Sequence, residues 1–245
     1  MSYGGSNKYQ IFPETTQAMS SELNRGNLHF SFFAIATIGW ILALASMGQV
    51  DWRVWHVDNT TPVISSGIVW VGIWKVCFHS TTLHSAQGTS GKICHTYGRH
   101  NSFLPPDFRA VEKIFLLACI LGVIGKVCSI IALRNFYMGV GRKPTICNPF
   151  TMAGFSFLSA GICVLICVIW NFHSVSQKKT INFPATFYIP PSPNTQESGS
   201  AVVVAIISAI LMMLSGVFFL SYKFHMDSQV HPMITVEEWA SESDL

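Results

Sequence analysis

The sequence predicts an integral membrane protein, mainly α-helical, in which four transmembrane helices carry a small antiparallel β-sheet. Three observations support this fold class. Half of the 245 residues are hydrophobic and only 11% are charged, whereas a typical soluble domain has roughly 25% charged residues. Four apolar runs are each long enough to cross a bilayer, which takes about 20 residues. The polar loop between the first two runs contains two cysteines and segments in which apolar and polar residues alternate.

The apolar runs divide the chain into three parts. Residues 1–27 form a polar N-terminal segment with no small-residue cleavage site, so we expect it to be retained and cytoplasmic. Residues 28–222 form a four-span domain. Residues 223–245 form a polar, acidic cytoplasmic tail that we expect to lack regular structure except near its end. The predicted spans are about residues 28–47, 114–133, 150–170 and 201–222, and the predicted extracellular loops are about residues 48–113 and 171–200.

Three signals place the two long loops outside the cell. The short loop between the second and third runs holds three basic residues, and short basic loops tend to face the cytoplasm. Asn59-Thr60-Thr61 is a candidate N-glycosylation sequon in the first long loop. Cys77 and Cys94 lie in the same loop, where an oxidising exterior would allow them to form a disulfide.

The first extracellular loop has the patterns of a sheet. Residues 51–57 alternate aromatic or β-branched residues with polar ones, which is typical of a half-buried strand. Residues 68–78 predict a second strand, and residues 92–97 predict a returning strand after a turn-rich segment. Such a hairpin would place Cys77 and Cys94 on opposing strands, where their disulfide would contribute roughly 3 kcal/mol.

The remaining parts of the two loops are less regular. We expect residues 103–108 to lead into the second span through a short helix. The second extracellular loop is expected to be an extended segment followed by a proline-rich turn.

The order of the aromatic, glycine and cysteine residues resembles that of the claudins, the four-span proteins of tight junctions. The family pattern of Trp, Gly-Leu-Trp, Cys and Cys is matched by Trp52, Gly72-Ile73-Trp74, Cys77 and Cys94, with Ile in place of Leu. The hairpin between the cysteines is about seven residues longer than is usual in the family. Other tetraspan families share the Gly-Leu-Trp and the cysteines, but Phe187-Tyr188-Ile189-Pro190 is similar to the second-loop signature of claudins.

The resemblance covers about residues 28–223 and implies a left-handed four-helix bundle that carries an extracellular sheet. Such proteins polymerise with other claudins in one membrane (in cis), meet partners from the apposed cell (in trans), and form a paracellular barrier. The alternative is a claudin-like auxiliary subunit that modulates a channel or receptor in the same membrane.

The resemblance also implies an interface made by the two loops. The candidate contact residues for neighbouring or opposing molecules are Leu104, Phe187, Tyr188 and Pro190, since exposed aromatic residues are favoured interface anchors. For Phe187 and Tyr188 the alternative is an apolar plug that packs on the first loop.

Ion selectivity should follow the charge of the first loop. Residues 51–109 contain five basic and three acidic residues, a net charge of +2. By resemblance His95 occupies a pore-facing position, and Lys92 and Arg99 are further candidates. These residues favour a barrier or a weak anion preference, with more positive charge below about pH 6.5 if the loop histidines titrate.

The C-terminal residues Ser243, Asp244 and Leu245 suit the groove of a PDZ scaffold protein, which captures a terminal carboxylate beside an added strand. The lipid bilayer is a further predicted partner.

The sequence has no nucleophile–base set, phosphate loop or metal-ligand spacing, and no basic run dense enough for nucleic acid. We therefore expect no enzymatic activity, no cofactor, no metal and no nucleic-acid partner. Lys126, inside the second span, is expected to extend toward the inner surface.

Overall fold

The computed structural model describes residues 11–58, 64–80, 91–98, 103–138 and 148–242. Four long helices dominate this part of the chain: α1 Ile11–Gly48, α2 Pro106–Tyr137, α3 Pro149–Ser176 and α4 Ser200–Glu242. The parts that are long and apolar enough to cross a membrane are Gly26–Gly48, Pro106–Tyr137, Pro149–Ser176 and Ser200–Ser221. The helical membrane fold predicted by the sequence is therefore confirmed.

The helices pack as a ring in which each contacts its neighbours in the order α1, α2, α3, α4 and back to α1. Glycines allow close approach of these helices. A Cβ atom on Gly161 would lie 2.6 Å from Met213 Cγ and 3.0 Å from Ala209 O, both on α4. Helices in a bilayer associate largely through van der Waals packing, which favours small residues at their contacts.

A five-stranded antiparallel sheet lies at the end of the bundle where α1 ends and α2 begins. The strand order is β4-β3-β2-β1-β5. The first four strands come from the first loop and the fifth from the second loop, so that one sheet joins both loops. Their bounds are β1 Arg53–His56, β2 Ile64–Val71, β3 Lys75–Ser80, β4 Gly91–Thr96 and β5 Thr195–Ser198.

The structure corrects several of the predicted boundaries. The single strand predicted over residues 68–78 is two strands, because the chain reverses at Gly72-Ile73-Trp74 between β2 and β3. The expected short helix before the second span is the first turn of α2, which begins at Pro106. Proline suits this position because the first turn of a helix needs no N–H donor. The tail was expected to lack regular structure except near its end, but it continues α4 through Glu242.

The sheet buries one face against loop segments and the start of α2. Alternate residues of its central strands point to this inner face, including Trp55, Val69 and Phe78. They pack with Leu104 and Phe108 from the first loop and α2, and with side chains of the second loop: Ile181, Phe183 and Ile189. This sheet core is separate from the apolar core of the helical bundle.

Lys126 does not extend as predicted. Its ammonium nitrogen lies 3.5 Å from the centre of the Trp40 ring on α1, and the same ring sits against Gly122, one turn earlier on α2. Side chains on a helix lean toward its N-terminus, which for α2 is the end that carries the sheet. Lys126 therefore binds the aromatic face of a neighbouring helix instead of reaching the opposite surface.

Candidate functional site

The candidate site is the surface formed by the sheet and the second loop. Its central covalent element is the disulfide between Cys77 and Cys94, with a Cα–Cα distance of 4.2 Å. The two cysteines are directly paired across β3 and β4. The predicted disulfide is confirmed, and it fixes the register of this hairpin.

Trp52 anchors the sheet to the bundle. It is 2% exposed, and its indole N–H donates a hydrogen bond of 2.8 Å to the backbone oxygen of Ser46 near the end of α1. Its ring meets Phe115 of α2 edge to face, with centroids 5.6 Å apart. The first strand is thus tied to two helices immediately before it begins.

The segment Gly72-Ile73-Trp74 is a second anchor. Ile73 is buried in the bundle core and Trp74 packs against it. Gly72 lies so close to backbone that a Cβ atom there would be 2.9 Å from Val50 Cα and 3.0 Å from the oxygens of Gln49 and Lys75. The glycine is required because backbone surrounds the turn. The motif residues therefore hold the sheet in place, and the remaining surface is available for contacts.

The second loop packs on the first through Phe187. Its ring stacks on His95 of β4 at a centroid distance of 4.5 Å and also contacts Phe103 and Phe183. The position agrees with the alternative interpretation of Phe187 as an apolar plug on the first loop. The plug fixes the second loop against the sheet.

Tyr188 is placed quite differently from its neighbour. It follows a single 3₁₀ turn, Ala185–Phe187, and has a left-handed backbone conformation with φ of 56°. Its side chain is 61% exposed. Of the other predicted contact residues, Pro190 is half-buried and Leu104 is buried in the sheet core. Tyr188 is thus the most accessible member of the predicted set.

The predicted pore residues Lys92 and His95 lie on opposite faces of the sheet, because they are three positions apart on β4 and side chains alternate. His95 points to the inner face and stacks on Phe187. Lys92 is exposed on the outer face, and its ammonium lies 5.1 Å from the centre of the Trp70 ring. The structure does not bring them together.

Sequence analysis missed the role of Arg53, which it counted only as one of the loop charges. Arg53 is 4% exposed. Its Nε donates a hydrogen bond of 2.8 Å to Asn171 Oδ1 on α3, and its guanidinium lies 4.5 Å from the centre of the Phe108 ring on α2. The sequence did contain a signal for this burial. Side chains alternate between the two faces of β1, which places Arg53 on the same inner face as Trp55.

Electrostatics around Arg53 reflect its burial. Loss of hydration lowers the pKa of Arg53 to about 10, an effect that Tyr97 and Asp107 oppose, so the group stays charged at neutral pH. Burial also raises the pKa of the Tyr97 phenol. Because Arg53 is withdrawn from solvent, the charge that the first loop exposes to solvent is lower than the count of +2.

Several predicted residues lie outside the described residues: Asn59, Arg99, Ser243, Asp244 and Leu245. Their proposed roles in glycosylation, pore lining and PDZ binding stay predictions. Within the described ranges, no group of three or more His, Cys, Asp or Glu side chains is placed to hold a metal ion.

Comparisons with known proteins agree with this architecture. Residues 37–221 match the sequence model of the family described as PMP-22/EMP/MP20/Claudin tight junction. The chain is 25% identical over 199 residues to Claudin-4 of Chlorocebus aethiops, covering 77% of this chain and 83% of that protein. It is 25% identical to human Claudin-4, covering 75% and 80% of the two chains. It is 28% identical to human Claudin-9 over 58% and 61% of the two chains.

Proposed function

Because the chain belongs to the claudin family, a multi-pass membrane protein of tight junctions, we propose that it polymerises and contributes to the paracellular barrier. The observation that carries this proposal is the sheet itself. A disulfide fixes the register of its β3–β4 hairpin, and two tryptophan-containing anchors fix its position on the bundle. A rigid projection of this kind suits a surface that must repeat in register along a polymer.

The partners in this proposal are other claudins, in cis and in trans. Tyr188 is the proposed contact residue, because it is exposed beside a plug that holds its loop still. The other three candidate residues would contribute indirectly, by holding the second loop in position: Phe187, Pro190 and Leu104. Preorganised aromatic residues make strong interface anchors because little motion is lost on binding.

Barrier function with a weak anion preference is the finer part of the proposal. Lys92 is exposed on the outer face, where a positive charge would favour anions. The burial of Arg53 keeps this preference weak. Binding of a PDZ scaffold through Leu245 and glycosylation at Asn59 are further proposals that rest on the sequence alone. We propose no catalytic activity, in keeping with a family of structural junction proteins.

The test of polymerisation is expression in cells that lack tight junctions, followed by freeze-fracture electron microscopy. We expect continuous strands at cell contacts. The auxiliary-subunit alternative predicts no strands and co-purification of the chain with one channel or receptor. That result would replace the junctional proposal.

Substitution Tyr188→Ala should reduce adhesion between cells while leaving the fold intact. An interface anchor of this kind contributes about 2 kcal/mol or more, so we expect adhesion to fall more than tenfold. Phe187→Ala serves as the contrasting variant, because Phe187 is a packing residue. Removal of a fully buried Phe ring costs about 3–5 kcal/mol, so removal of this half-buried ring should lower the free energy of unfolding by about 2 kcal/mol. If the Tyr188 variant adheres as well as the parent protein, Tyr188 is not a contact residue of the interface.

A further inference from the structure

A cavity of about 190 Å³ lies between the sheet and the bundle, and the buried Arg53 is one of its lining residues. It is bounded by β1, the start of α2, the end of α3 and the segment that follows α3. Its polar lining residues are Arg53, Asp107, Ser174, Lys179 and Thr180, and its apolar ones are Pro105, Phe108 and Ile181. The cavity is not used by the barrier function proposed above.

The charges that line the cavity do not cancel. Lys179 Nζ and Asp107 Oδ2 form an ion pair at 2.6 Å, which accounts for one charge of each sign. The guanidinium of Arg53 is then in excess, and it forms no ion pair within the part of the chain that the structure describes. A buried cation is costly unless an anion or several acceptors compensate it.

The protein compensates Arg53 only in part. Asn171 accepts from Nε and Phe108 presents its ring face. Both of these partners are neutral, and the nearby Asp107 carboxylate, which favours the charged form of Arg53, is already paired with Lys179. The nearby Tyr97 hydroxyl is shielded from solvent and has no hydrogen-bond partner among the described residues. An anion in the cavity would supply the missing charge.

The donors match an anion with several acceptor oxygens. Arg53 approaches from β1, Ser174 from α3, and Lys179 and Thr180 from the segment after α3. Guanidinium and ammonium groups with hydroxyls beside them are the usual ligands of phosphate. We propose that this cavity binds one phosphate group, held mainly by Arg53 and Lys179.

The position of the cavity relative to the membrane makes two sources of phosphate accessible. The long apolar run of α2 begins at Ile114. Asp107 lies seven residues before it, which is about 10 Å along a helix. The headgroup layer extends roughly 5–8 Å beyond the hydrocarbon core. The cavity therefore lies at the outer rim of the headgroups, within reach of a phospholipid phosphate and of dissolved phosphate.

The experiment uses the full-length protein, purified and delipidated in dodecyl maltoside without phosphate. Binding is followed by calorimetry and by the rise in unfolding temperature on addition of inorganic phosphate, dihexanoyl phosphatidic acid or dihexanoylglycerol. Binding of both phosphate ligands identifies a site open to dissolved phosphate. Binding of phosphatidic acid alone identifies a headgroup site. Equal binding of phosphatidic acid and dihexanoylglycerol, or no binding of either phosphate ligand, overturns the proposal.

Two charge variants with opposite expected effects complete the test. Lys179→Gln should weaken binding by about tenfold, the usual loss for a charge-assisted hydrogen bond, and Asp107→Asn should strengthen it because the competing carboxylate is gone. Lys178→Gln is the matched control, since Lys178 is exposed, adjacent in sequence and outside the cavity lining. If the Lys179 and Asp107 variants change affinity in the same direction, or if the control matches Lys179→Gln, phosphate is not held here.

Discussion

At the residue scale, the glycine of the family motif has a steric explanation. Gly72 N donates a hydrogen bond of 2.9 Å to Lys75 O in the turn between β2 and β3. The groups that a side chain would meet there are mostly backbone atoms, which cannot rotate away. We expect Gly72→Ala to lower the free energy of unfolding by about 1–3 kcal/mol, the usual cost of overpacking, measured by thermal or denaturant unfolding in detergent.

Gly48→Ala is the matched control for this prediction. Gly48 ends α1 near the same junction between sheet and bundle, but a Cβ atom on it would meet nothing within 4 Å. We expect the free energy of unfolding of the Gly48→Ala variant to stay within about 0.5 kcal/mol of that of the parent protein, as for most unconstrained surface positions. Equal losses in the two variants would show that close approach is not the reason for glycine at position 72.

At the element scale, the helices and the disulfide hairpin were predictable because their signals are local. An apolar run of about 20 residues predicts a span without knowledge of its neighbours. Strand β5 was not predictable in this way. Thr195–Ser198 has no apolar alternation, and it is a strand because β1 offers it an edge to pair with. Arg53 was missed for a related reason: its acceptor, Asn171, lies on α3, far along the chain.

The β3–β4 hairpin gives a prediction at the same scale. The disulfide joins residues 17 positions apart, so its loss should cost about 3 kcal/mol by the loop-entropy estimate. The double variant Cys77→Ala/Cys94→Ala avoids leaving one buried thiol, and its unfolding midpoint should fall accordingly. Cys128→Ala, which removes a free cysteine, should leave the ectodomain unaffected. A double variant as stable as the parent would mean that anchoring by Trp52 and Ile73 suffices.

At the scale of the whole molecule, the two faces of the sheet have different surroundings. The inner face is mainly apolar and joins both loops to the bundle. The outer face carries Lys92, Trp70 and His79, with Trp70 and His79 in edge-to-face contact at 5.3 Å. Selectivity should therefore respond to charges on the outer face and be insensitive to His95, whose stacking on Phe187 is part of the fold.

This division leads to a prediction about ion permeation. At about 10 Å in water, one unit charge changes the energy of a passing ion by about 0.4 kcal/mol, about twofold in permeability. Because the charge acts with opposite sign on the two ions, Lys92→Gln should raise the sodium-to-chloride permeability ratio about fourfold and Lys92→Glu about sixteenfold. The measurement is the dilution potential across epithelial layers that express each variant. Lys113→Glu makes the same charge change at an exposed position that belongs to α2 and not to the sheet, and it should have little effect. If the two Lys→Glu variants shift the ratio equally, selectivity reflects overall charge and the outer face of the sheet does not line the ion path.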